Sequence, residues 1–209
     1  MTAIMVLGQG RSGTSAVAGV LHYLGVYMGQ GLLPSTQDNA KGSFEDARFH
    51  RFNLQFVGGD VMNPRPNPAN MAPWGRSALL DLVTEMDRHE IWGLKAPLIC
   101  FTFRLVLPFL PNPTYIIHTL RAREHIVDSV ARVEGMGAVL EAARIVNRYE
   151  TALLEARAIV PPDWPQLYVA YDRLVEEPAE QVERIAAFVG LPVTKEAIDF
   201  VDPKLRHWR

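Results

Sequence analysis

The sequence predicts an α/β fold in which helices cover both faces of a central parallel sheet, a three-layer sandwich. Three observations predict it. Short apolar runs at residues 3–7, 91–94, 114–120 and 166–171 have strand length and near-continuous hydrophobicity, the pattern of strands buried on both faces. Segments of helical character separate them, so successive strands have the long crossovers that parallel pairing needs. The first run stops at Gly8 in a glycine-rich turn, and in such sheets the turns at the carboxyl ends of strands carry the ligand site.

In chain order, residues 14–24 read as a helix with small Ala16, Ala18 and Gly19 for close packing on the sheet, and Gly25 as its stop. Residues 28–76 lose periodicity, punctuated by Pro34, Pro64, Pro66, Pro68 and Pro73, with one short helix expected at about 43–56. A loop region of this length in a compact domain is expected to serve function. Further helices are expected at 77–88, 101–110, 123–133, 137–160 and 179–189, the last ended by Gly190 and Pro192. The expectation is a single domain over 1–209, with residues 8–15, 95–97, 121–129 and 171–173 near one sheet edge.

The formal net charge of −2 gives no basic coat for a nucleic-acid partner, so anion binding has to be local. Cys100 is the single cysteine, which excludes an internal disulfide and a cysteine-built metal site and fits a reducing compartment; a small buried apolar role is expected. The apolar start lacks a basic leader and runs at once into a polar turn, so it reads as a strand. No run approaches the roughly 18 consecutive apolar residues of a membrane span. A soluble, cytoplasmic protein is expected.

Gly8-Gln9-Gly10-Arg11-Ser12-Gly13-Thr14-Ser15 places Gly8 and Gly13 at P-loop spacing between a strand and a helix. Glycine lets the backbone curl until its N–H groups converge on a phosphate, and the helix N-terminus adds its dipole. The fold expectation thereby narrows to a P-loop nucleoside triphosphate hydrolase-like sandwich. Thr14, however, stands where a nucleoside triphosphatase has the lysine for the β and γ phosphates, and the loop's cation is Arg11. A P-loop small-molecule kinase using ATP and magnesium is therefore the second reading. A glycine-rich turn without a phosphate is the plain structural one.

Arg11-Ser12-Gly13-Thr14-Ser15 resembles the 5′-phosphosulfate loop of the sulfotransferase family. The resemblance implies 3′-phosphoadenosine 5′-phosphosulfate as co-substrate, with no metal required. It further implies that Arg11, Ser12, Gly13, Thr14 and Ser15 bind the donor at its 5′-phosphate, with Arg11 also close to the transferring sulfuryl group.

Arg121 ends the 114–120 strand and Ser129 follows eight residues later on the next helix, a pair able to grip one phosphate from two sides. The family carries an arginine and a serine at this spacing as its 3′-phosphate site. Separately, each has a plainer reading, Arg121 paired with a carboxylate such as Glu124 and Ser129 as a helix-surface hydroxyl. Residues 168–178 and 185–192 also resemble the family's late segment, which makes Tyr171 a candidate neighbour of adenine or else a core tyrosine.

Sulfuryl transfer needs a base for the acceptor and positive charge for the departing oxygen. Lys95, at a strand end, resembles the family lysine that stabilises the leaving phosphate; its plainer reading is a solvated lysine. The family's small-molecule branch has its histidine base two positions later, where this chain has Pro97. Lys41-Gly42-Ser43-Phe44-Glu45-Asp46 resembles a segment in which a glutamate serves, so Glu45 is the candidate base, a role that requires a partly desolvated pocket to raise its pKa toward working pH. Its alternative is a helix N-terminal carboxylate. Asp46 and His50 are held in reserve, and His118 reads as a buried core histidine. The acceptor implied is a hydroxyl or amine of a carbohydrate, lipid or small molecule, recognised through residues 28–76. A donor-binding protein without catalysis is a third reading. The basic, aromatic tail at 204–209 reads as a solvated terminal cluster.

Overall fold

The computed structural model of the chain describes residues 1–36, 39–67, 73–133 and 139–202. Four strands, β1 (Thr2–Leu7), β2 (Ile91–Lys95), β3 (Thr114–Leu120) and β4 (Gln166–Ala170), form one parallel sheet in the order β2-β1-β3-β4. Val6 is in register with Lys95 and Leu7 with His118, so β1, β2 and β3 end at one edge. The glycine-rich turn, Ala96 and Arg121 all leave the sheet there.

Alternation along β1 divides the core. Ala3, Met5 and Leu7 face one layer, built from α2 (Ala47–Phe56), α3 (Pro73–Met86), α4 (Ile99–Val106), α5 (Arg123–Val133) and α6 (Val139–Ala158). Ile4 and Val6 face the other, built from α1 (Thr14–Tyr23), α7 (Tyr171–Glu176), α8 (Pro178–Val189) and α9 (Lys195–Phe200). All five side chains are fully buried, as expected for a central parallel strand. Cys100 lies in the first layer, where burial pushes its thiol up to about 12 and makes it inert. His118 is the buried histidine the sequence suggested, its Nε2 meeting Gln166 Oε1 at 2.9 Å. No helix among the described residues is long and apolar enough to cross a membrane.

The differences from the sequence reading have local causes. The helix expected from 43 begins at Ala47, because the Asp46 carboxylate accepts the N–H groups of Arg48 (2.8 Å) and Phe49 (3.3 Å) as an N-cap. The helix expected at 77–88 starts instead at Pro73, whose fixed φ suits a first turn. The apolar helix expected to reach 110 becomes a 3₁₀ turn at Leu107–Phe109, since Pro108 has no N–H to continue it. Two six-residue helices, α7 and α9, were not expected; each is shorter than the window in which helical periodicity can be counted.

Helix α9 is held on α1 by a close approach at Gly19, where an added Cβ would overlap the Phe200 ring. Phe200 also packs edge-on against Phe44, 5.4 Å between ring centroids. Gly19→Ala is expected to displace Phe200 and cost about 1–3 kcal/mol in urea unfolding, while Gly25→Ala, with open space at its Cβ, is expected to cost only the strain of its left-handed backbone (φ +99).

Candidate functional site

The turn after β1 is shaped by its contact with β3. An added Cβ on Gly8 would collide with Thr119 Oγ1, so only glycine lets the chain leave the sheet so close to its neighbour. Ser12 then folds the turn back: its hydroxyl donates to the Gln9 carbonyl (2.7 Å) and pairs with Thr119 Oγ1 (2.7 Å). Ser12 was expected to touch a phosphate, yet its side chain is buried and committed to these partners, so it shapes the loop instead of facing the cavity beside it.

That turn gathers the ends of three strands. Arg11, at φ +66, directs Nε to Ser129 Oγ on α5 (2.9 Å), and its carbonyl accepts from Arg121 Nη1 (2.7 Å). The Arg121 guanidinium lies over the Tyr171 ring, 4.8 Å from its centroid. Gly13, at φ +94, sits under the same ring, and a Cβ there would come within 2.5 Å of it. Gly13 is also the N-cap of α1 and supplies no side-chain cap, so the first-turn N–H groups of the helix remain available. A cavity of about 140 Å³ opens on this assembly. Arg11, Lys41 and Arg121 line it against a single carboxylate among the described residues, Asp202. Cations, hydroxyls and a helix N-terminus form an anion-binding set.

A polar chain runs from this cavity into the protein. Ser15 Oγ accepts from Asn39 Nδ2 (3.1 Å) and from Lys95 Nζ (3.1 Å). Lys95 Nζ also donates to Glu45 Oε1 (2.7 Å), and Glu45 Oε2 meets His50 Nδ1 (3.0 Å). Lys95 is only 2% exposed, which overturns its reading as a solvated lysine. Glu45 is 5% exposed, and it is the neighbouring Asp46 that caps the helix. Asp46 is thereby a structural residue, engaged by Gln30 N and the Arg48 guanidinium.

The desolvated surroundings that the base role requires are present, but the neighbours of Glu45 set the direction of its pKa. Burial pushes the carboxyl up, but the Lys95 ammonium and the His50 hydrogen bond more than offset it and hold the group below its ordinary value. Burial pulls the Lys95 ammonium down; Glu45 opposes this and the nearby Arg11 adds to it. The two directions are compatible, because the more deeply buried Lys95 loses more to burial than Glu45 returns, whereas Glu45 has two favourable partners.

Beyond Glu45 lies a second cavity of about 230 Å³. Gln9, Arg11, Glu45 and His50 are its polar lining; among the described residues the remaining wall is apolar apart from the Tyr149 hydroxyl, with Val61, Met62, Leu98 and Ile145 among its residues. Tyr149 donates its hydroxyl to the Val61 carbonyl (2.7 Å), and burial raises its pKa, so this phenol is engaged as a clamp on the 57–67 segment. Residues 28–76 therefore divide: Asn39, Ala40 and Lys41 line the first cavity, and Glu45, His50, Val61 and Met62 the second. The α5 and α6 side chains of the second wall were not singled out from sequence, where their spacing is that of ordinary core. The tail at 204–209 lies outside the described residues.

One further feature marks the site. Among the described residues, the two non-glycine positions with positive φ are Arg11 and Phe44 (φ +56), the latter immediately before Glu45. Such conformations persist where surrounding structure enforces them, often at functional sites.

A four-stranded parallel sheet with a phosphate-type turn after β1 and an arginine after β3 defines an α/β protein of the P-loop-like class. A family model described as the sulfotransferase family matches residues 3–195, and the chain belongs to that family. The fold is similar to the sulfotransferase domain of the Synechococcus PCC 7002 olefin synthase, at 17% identity and TM-score 0.60 over 98% of this chain and 85% of that one. It is similar also to sulfotransferase STF9 from Mycobacterium avium, at 17% identity and TM-score 0.60 over 98% and 68% of the two chains. A sugar kinase from Janibacter sp. HTCC2649 shares the fold at 16% identity and TM-score 0.52, over 98% of each chain. No curated protein matches in sequence.

The buried pair makes a stability prediction. Lys95→Met leaves Glu45 a buried carboxylate without its ammonium and is expected to cost about 3–5 kcal/mol in urea unfolding, with Lys95→Met/Glu45→Leu recovering most of it. Because the Glu45 carboxyl titrates lower in the folded than in the unfolded chain, its contribution is present above about pH 4.3 and is lost as pH falls through the lower folded value. Glu45→Gln is expected to remove that part of the acid sensitivity, read as a flatter stability profile between pH 5 and pH 3 (roughly the carboxylate range).

Proposed function

We propose that this sulfotransferase-family enzyme transfers a sulfuryl group from 3′-phosphoadenosine 5′-phosphosulfate, bound in the first cavity, to an acceptor in the second. The observation that carries the reading is the Ser15–Lys95–Glu45–His50 chain, which begins at the anion-binding cavity and ends at the apolar one, with Arg11 lining both. A transfer reaction needs two substrates held on either side of a shared charged wall.

The residues present suit this donor. Arg11, the Gly13–Ser15 segment and the uncapped start of α1 are suited to its 5′-phosphosulfate, while Arg121 and Ser129 are suited to its 3′-phosphate. Tyr171, already supporting Arg121 and packed over Gly13, offers a ring beside the adenine. The donor supplies an activated sulfuryl group. Lys95 and Arg11 supply positive charge where the departing oxygen gains electrons.

Glu45 serves as base. It is ionised at neutral pH because Lys95 holds it so, and it lies at the polar end of the acceptor cavity. An anion that draws the Lys95 ammonium away from Glu45 removes the largest downward influence on the carboxyl and leaves burial to raise it. The same pair therefore couples the filling of the donor cavity to the basicity needed for proton transfer. Thr14 in the lysine position of ATP-using loops supports this reading over a magnesium-dependent kinase.

Two variants test the assignments. Glu45→Gln is expected to lower kcat by roughly 10²–10⁴-fold without weakening the affinity for adenosine 3′,5′-bisphosphate by calorimetry, since Lys95 is released toward the anion; unaltered kcat would remove Glu45 from the base role. Arg121→Met is expected to weaken the bisphosphate by roughly tenfold or more and to leave adenosine 5′-monophosphate nearly unaffected. Equal losses for both ligands would dissociate Arg121 from the 3′-phosphate.

A further inference from the structure

The second cavity has a lopsided chemistry. Val61, Met62, Leu98, Val130, Ile145 and Val146 present hydrocarbon to it, and Tyr149 offers a ring whose hydroxyl is already committed to the Val61 carbonyl. Among the described residues, its polar side chains are Gln9, Arg11, Glu45 and His50, of which Arg11 also lines the donor cavity. The acceptor thus meets a few hydrogen-bonding groups and carbon along most of the described wall.

We infer that the acceptor is an uncharged alcohol or phenol with a compact apolar body and one hydroxyl. This rests on the sulfuryl-transfer reading and narrows its acceptor. Each further hydroxyl, as on a sugar, would be buried against hydrocarbon at a cost of about 1–3 kcal/mol. A polyhydroxylated ring therefore loses affinity by orders of magnitude. An alkylamine is disfavoured because it enters as an ammonium, which has no lone pair to attack sulfur and brings its charge against hydrocarbon and beside Arg11.

The volume shows what body the wall can cover. An enclosed apolar cavity of about 150 Å³ holds benzene, and this one, about 230 Å³ and open to solvent on one side, has room for at least two fused rings or an alkyl chain of comparable bulk. The acceptor oxygen forms the new bond to sulfur, its proton passes to Glu45, and the bond from sulfur to the bridging oxygen breaks with its electron pair leaving on the 5′-phosphate. The products are a sulfate ester and adenosine 3′,5′-bisphosphate.

The test uses the full chain with 3′-phosphoadenosine 5′-phosphosulfate and four acceptors: 2-naphthol, 1-octanol, glucose and hexylamine. Calorimetry with adenosine 3′,5′-bisphosphate runs in parallel. Sulfation of 2-naphthol or 1-octanol, with glucose and hexylamine at least about a hundredfold lower in kcat/KM, is the expected result. Ile145→Phe, which fills the apolar end, is expected to raise KM for the accepted alcohol by about tenfold with bisphosphate affinity unchanged. If bisphosphate binds but glucose or hexylamine is the better acceptor, if neither alcohol is sulfated, or if Ile145→Phe leaves KM unaltered, the inference is overturned and the donor reading stands. Absence of bisphosphate binding overturns both.

Discussion

The site is organised around one buried ion pair, Lys95 with Glu45. An ammonium and a carboxylate at 2.7 Å, each almost completely removed from water, persist only because each compensates the other and because Ser15 and His50 supply further hydrogen bonds. The pair ties the end of β2 to the segment before α2 and to the first turn of α1. Three elements distant in sequence are thereby held in one arrangement between two cavities. A hydrophobic replacement of similar volume would satisfy the packing, so the presence of charge here is explained by chemistry more readily than by stability.

The sheet makes this arrangement possible. Parallel pairing in register brings Leu7, Lys95 and Leu120 to a common edge, and the order β2-β1-β3-β4 sets the loop after β1 between the strand that carries Lys95 and the strand that delivers Arg121. Close approach is enforced at two glycines, Gly8 against Thr119 and Gly13 against Tyr171. The positive φ of Arg11 lets its side chain reach Ser129 while its carbonyl receives Arg121. The two anion subsites suggested by the sequence are thus joined through one residue.

Much of this is legible in the amino-acid sequence. Apolar runs and stop signals located all four strands to within a residue or two, because a buried parallel strand has few ways to be written. The turn at Gly8–Ser15 and the Arg121 to Ser129 spacing pointed to the edge where they meet. What escaped was set by tertiary contact. The inward turn of Ser12 depends on Thr119, more than a hundred residues away. The lowered pKa of Glu45 depends on Lys95, fifty residues downstream, and burial alone pointed to the opposite direction. The apolar wall from α5 and α6 looked like core in sequence because it is continuous with core.

In the proposed function, the cavity beside Arg11 presents a sulfuryl donor to the cavity beside Glu45. The most direct test offers the protein an alcohol together with sulfur-labelled 3′-phosphoadenosine 5′-phosphosulfate and, in the same vessel, γ-phosphate-labelled ATP with magnesium, and follows both labels into the alcohol. Sulfur label in the alcohol, without phosphorus label, is the predicted result. Phosphorus label in the alcohol, with the sulfur donor recovered intact, would contradict it.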